Sequence, residues 1–137
     1  MSEPTAGEPS GRTRPPLYAG DAPISARPVP PGGTLGIFAA SGPFDPARYQ
    51  RGLERLRALG FAIVEAPGIE LRHGFLAGDD ATRVAGLLGL LERSDVHGLV
   101  AARGGYGLTR ILHRLPPDGF RRARKPVRGF SDVTALH

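Results

Sequence analysis

From Thr34 onward, short apolar runs alternate with amphipathic stretches, and that alternation leaves few folds open. Thr34 to Ala40 (TLGIFAA) reads as a buried strand, broken by Ser41-Gly42-Pro43. Asp45 followed by Pro46 is a helix start, a capping carboxylate and then proline at the first helical position. Tyr49, Leu53 and Leu56 follow at i, i+4 and i+7 and make one apolar stripe, which Gly60 ends as a left-handed cap. Phe61 to Ala66 is the second predicted strand. Asp79 or Asp80 caps a second helix with the stripe Val84, Leu87, Leu88 and Leu91. Gly98 to Ala102 is a third strand. Leu108, Ile111, Leu112 and Leu115 give a third stripe, stopped by Pro116-Pro117, and Val127 to Phe130 is a fourth, very short strand.

Strands this short and this apolar, separated by helices, pair in parallel through right-handed crossovers. The expected fold is α/β, a doubly wound parallel sheet of the Rossmann or flavodoxin kind with helices on both faces. Ligands of such sheets gather beyond the carboxyl ends of the strands. Three unusual loops fall there: Ser41-Gly42-Pro43, Arg103-Gly104-Gly105-Tyr106-Gly107, and Ser131-Asp132.

Before Thr34 the composition differs. Residues 1–33 hold eight prolines and five glycines with few large apolar groups. Burial there does not offset the entropy of ordering, so 1–33 is expected to be a disordered tail ahead of a domain at 34–137. No apolar run long enough to span a membrane and no secretory h-region is present, which makes the cytoplasm the default location. The chain lacks cysteine, so disulfides and thiolate metal sites are excluded. Its net charge is +5, and every basic residue but Lys125 is arginine. Eight basic residues and one acid lie between Arg103 and Arg128, a density that suits either an anionic ligand or a solvated helix face.

Two motifs carry chemistry. The glycine cluster after the third strand lets backbone N–H groups approach an anion, with a helix start adding positive partial charge, although it matches neither a P-loop nor a dinucleotide fingerprint. A tight structural turn explains it equally well. Ser131 lies where the fourth strand must turn into a helix, the setting of a nucleophile elbow, and Gly129 leaves room for that turn. The G-x-S-x-G pattern is incomplete because position 133 is Val. On spacing alone Ser131 reads as well, or better, as the cap of the last helix. The histidines share no metal-ligand spacing. His137, six residues past Ser131 on an α-helix, would point about 240° away from it.

The stretches PGGTLGIFAASGP, FLAGDDATR, ARGGYGLTRIL and KPVRGFSDVTALH together resemble the LD-carboxypeptidase family of serine peptidases, which includes the microcin-C immunity peptidases. The resemblance runs from about Pro31 to His137. It implies that Ser131 is the nucleophile and that backbone N–H groups of Asp132 and of Gly105 or Gly104 form the oxyanion hole. It further implies a murein tetrapeptide that loses its terminal D-alanine, with Arg103 and nearby arginines steering the acidic peptide. Neither metal nor cofactor is implied, nor a nucleic-acid or membrane partner, and the complete protein is expected to form a homodimer. Family members are about twice as long, and their general-base histidine and its orienting glutamate lie in a carboxy-terminal domain. The sequence stops inside the elbow helix, before both, so the chain alone is expected to be inactive. Two alternatives stand beside this reading: a non-catalytic α/β module that binds an anion or nucleic acid, and an immunity-type peptidase acting on a peptide–nucleotide toxin.

Overall fold

The computed structural model describes residues 24–137. Four strands form one parallel sheet in the order β2-β1-β3-β4: β1 (Thr34–Phe38), β2 (Ala62–Glu65), β3 (Gly98–Ala101) and β4 (Val127–Arg128). α1 (Pro46–Ala58) links β1 to β2, and α2 (Asp80–Glu92) links β2 to β3. The β3–β4 connection holds α3 (Leu108–Ile111), a 3-10 turn at Leu112–Arg114, and α4 (Pro117–Ala123). This is the doubly wound sheet expected from the alternation, with the strand order reversing between β1 and β3.

Each sheet face has its own core. Leu35, Ile37 and Ala39 pack with Tyr49 and Leu53 of α1, whereas Phe38, Ala40 and Leu99 pack with α2, α3 and Val133. Both long helices start as their capping residues require. The Asp45 carboxylate accepts the Arg48 N–H at 2.8 Å, and that of Asp79 accepts the Thr82 N–H at 2.7 Å. At the other end of α2, the Lys125 ammonium donates to the carbonyls of Leu90, Leu91 and Arg93 at 3.1, 2.7 and 2.5 Å.

Three expectations need correction. The third helix does not run to Leu115. It yields to the 3-10 turn, Leu112 is exposed, and Pro117 starts α4 instead of only ending what precedes it. The buried face of α2 is Val84, Leu87, Leu90 and Leu91, with Leu88 at its margin, because buried Arg83 shifts the arc. Residues 24–33 have no helix or strand, yet they are held to the domain: the Arg27 N–H donates to the Arg124 carbonyl at 2.7 Å, and Val29 packs on the α1-side core. The rest of the predicted tail, residues 1–23, lies outside the described residues. Among the described residues no helix is long and apolar enough to cross a membrane.

Candidate active site

β4 ends at Arg128, and the chain turns sharply at Ser131. Phe130 is extended, with φ −149° and ψ 175°, and Ser131 then takes φ +59°. A left-handed backbone costs a non-glycine residue about 1–3 kcal/mol, so the surrounding packing must impose it. Gly129 shows how tight that packing is: a Cβ there would lie 2.2 Å from Val133 Cγ1, and Val133 is fully buried. No side chain caps the helical turn that follows, so the capping role open to Ser131 on spacing is not the one it has. That turn, Ser131–Leu136, is a 3-10 helix and not the expected α-helix. In a 3-10 helix a residue six positions on returns to the same side, so rotation does not turn His137 away from Ser131. Rise along the axis separates them by about 12 Å, and the His137 ring is engaged by the Val127 carbonyl at 3.2 Å.

The three loops marked in the sequence converge. Asp132 Oδ2 accepts the Ser41 hydroxyl at 2.7 Å and the Leu108 N–H at 2.8 Å, joining the elbow to the loop after β1 and to the start of α3. The Gly42 N–H donates to the Gly104 carbonyl at 3.2 Å. Gly104 lies against the elbow so closely that a Cβ would sit 2.9 Å from Ser131 Cβ. Gly105, exposed and at φ +111°, turns the loop outward. Arg103 reaches back to donate to the Pro43 carbonyl at 2.6 Å. The carbonyl-end loops of β1, β3 and β4 thus form one assembly at the point where strand order reverses, where doubly wound sheets bind ligands.

All five predicted residues, Arg103, Gly104, Gly105, Ser131 and Asp132, therefore lie together. One expectation about them fails. α3 has only four residues, and the anion at its first N–H is the chain's own Asp132 carboxylate, so its dipole is not available to a ligand. Arg83, which sequence reasoning missed, is buried on α2. It donates to the carbonyls of Ala40 at 2.5 Å and Gly107 at 2.8 Å and pairs with Asp80, while its Nε lacks a hydrogen-bond partner among the described residues. It fastens the end of β1 to the glycine loop from beneath. The only signal for it was its place in the motif stretch FLAGDDATR.

Asp80 also accepts from Arg110, at 3.3 Å. The hydrogen bond from Arg110, then that from Arg83, holds its carboxyl below the ordinary value. A lowered carboxylate contributes stability that is complete above the unfolded-state value of about 3.9 and is lost as pH falls through the folded value. Urea midpoints of the wild-type chain and Asp80→Asn should therefore differ most near neutrality and converge below about pH 4. A gap that stays constant into acid would mean that the charge of Asp80 adds nothing.

A model of the LD-carboxypeptidase N-terminal domain matches residues 35–137. The chain belongs to the LD-carboxypeptidase family. A Streptomyces coelicolor protein named provisionally as a carboxypeptidase is 40% identical over 111 residues, which are 78% of this chain and 36% of that one. The probable murein peptide carboxypeptidase of Bacillus subtilis is 33% identical over 106 residues, covering 77% of this chain and 33% of the relative. Among solved structures, the wild-type apo form of the microcin C7 self-immunity protein MccF superposes with a TM-score of 0.79 at 28% identity. That match covers 83% of this chain and 35% of that one. The muramoyltetrapeptide carboxypeptidase of Oxalobacter formigenes gives a TM-score of 0.69 at 28% identity, over 75% of this chain and 34% of that one. The chain spans about a third of the length of the relatives it matches.

Proposed function

We propose that this chain supplies the nucleophile-bearing part of a serine LD-carboxypeptidase that removes the terminal D-alanine from murein tetrapeptide in the cytoplasm. The observation that carries the reading is Ser131 held at φ +59° on the sharp turn after β4, with Gly104 packed against it. A hydroxyl lifted on such a turn is placed to attack an amide carbonyl carbon. Charge then develops on the carbonyl oxygen. Backbone N–H groups from two separate loops, at Asp132 and at Gly105 or Gly104, are the donors we assign to it. Asp132 has a second task in this scheme, since its carboxylate holds both loops in register. Arg103, exposed at the rim, attracts the acidic peptide.

Serine needs a partner to take its proton. The His137 ring is engaged by Val127 and His97 Nδ1 accepts the Thr34 N–H at 3.0 Å, so neither is disposed to serve Ser131. We assign the base to the part of the family's length that this chain does not span. The chain by itself should release no D-alanine in a coupled assay on murein tetrapeptide. Joined to the carboxy-terminal part of the Bacillus subtilis relative, it should release D-alanine. A folded joined protein without turnover would overturn the assignment, and turnover confined to a peptide–nucleotide amide would move the substrate to the immunity class.

A further inference from the structure

Parallel sheets bury both faces, yet among the described residues part of the α1-side face lies open over β3. α1 packs over β1 and β2. α2, α3 and α4 all lie on the opposite face, where right-handed crossovers place them. Beside α1 an open cleft of about 650 Å³ remains. Its walls include Gly52, Leu53 and Leu56 of α1, Ile37 and Val100 of the sheet, and Phe130. Phe130 is 72% exposed.

Three features restrict what fits. The walls are mostly apolar, and the hydroxyl of the lining residue Tyr49 is already donated to Glu65 at 2.6 Å, so the cleft is poorly made for a polar peptide. Ser131 is not among its lining residues. Its rim is basic. Arg48 and Arg103 line it, and Arg128 is the register partner of Val100 and therefore shares its face. The one lining acid, Asp45, is occupied as the cap of α1. A second copy of a chain with net charge +5 would bring basic rims together.

We infer that the cleft seats an amphipathic helix with an apolar stripe and a carboxylate flank, contributed by the portion of LD-carboxypeptidases beyond the third that this chain spans. The helix completes the second layer on the α1 side, and its carboxylates meet Arg48 and Arg128. This inference does not depend on the role of Ser131.

Gly52 provides the test, because it sits in α1 with nothing within 4 Å of a Cβ placed on it. In the 137-residue chain, Gly52→Trp puts a ring into empty space and replaces a helical glycine, so the urea midpoint should hold or rise. In the protein joined to the carboxy-terminal part of the Bacillus subtilis relative, the same ring would occupy the helix seat. The midpoint should then fall by about 0.5–1 M. Gly52→Ala should lower neither. Arg48→Glu should lower the joined protein's midpoint at low salt more than at high salt. The reversal of sign is the diagnostic. A Gly52→Trp effect that is the same in both proteins overturns the inference, as does a dimer of the chain alone that Gly52→Trp dissociates. So does murein peptide binding to the chain alone that Gly52→Trp blocks. Because all these readouts are stability or association, they are separable from a failure of D-alanine release.

Discussion

Ser131→Ala in the joined enzyme should lower kcat by about 10⁴- to 10⁶-fold, with the fold unchanged. The size follows from chemistry. Without the hydroxyl no acyl-enzyme can form, and what remains is the catalysis that oxyanion donors and binding give to attack by water. The fold should survive because alanine keeps a Cβ and so keeps the same left-handed cost at φ +59°, while losing one oxygen from an exposed residue. D-alanine release measures the first claim, and superimposable circular dichroism melts measure the second. If the two proteins turned over equally, Ser131 would be a structural turn residue and the nucleophile would have to be sought elsewhere.

The largest effect on stability should come from Arg83→Met. Methionine fills much of the same volume but donates nothing. The carbonyls of Ala40 and Gly107 would each lose the guanidinium, and a buried acceptor left unsatisfied costs about 1–3 kcal/mol. Asp80 is less affected, since Arg110 still reaches it. The sum is about 2–6 kcal/mol, against a total of about 5–15 kcal/mol for a domain of ordinary stability. Urea unfolding followed by far-ultraviolet circular dichroism suits this chain, which has no tryptophan. Loss of the staple should also loosen the glycine loop, so amide exchange at Gly104 and Gly105 should quicken more than at Leu99 in the core of β3. An unfolding free energy within about 0.5 kcal/mol of wild type would show that the two carbonyls find other donors.

The elements legible in the sequence were those governed by local chemistry. Asp45-Pro46 marks the first turn of α1 because a carboxylate and a fixed φ act within four residues. The central strands β1 and β3 were visible because burial demands continuous apolar runs, the edge strands β2 and β4 because turn residues bound their short apolar stretches, and the parallel order followed from the helices between them. The convergence of three loops was legible because the strands carry all their carboxyl ends to one edge. What escaped depended on partners distant in sequence. Arg83 reads as a polar helix position, and only its contacts with Ala40 and Gly107 explain why it is buried. Its burial also turns the apolar arc of α2 away from Leu88 and toward Leu90. The sequence gives Asp132 a role only through its own backbone N–H, since nothing local shows that Ser41, 91 positions earlier, would donate to its carboxylate. α4 was missed because Pro116-Pro117 reads as a stop signal, whereas proline is equally suited to begin a helix.

The contact at the end of α2 gives meaning to a peculiarity of composition. Of 18 basic residues, Lys125 alone is lysine. Among the described residues it is also the one whose cationic head faces three carbonyls of a single helix end at once. An ammonium offers three N–H vectors spread around one axis and fits such a tripod. A guanidinium is a flat fork, suited to pairs of acceptors in a plane, which is how Arg93 meets the two oxygens of Asp95. A chain that otherwise uses arginine for every cation keeps lysine where the geometry of the acceptors is not planar.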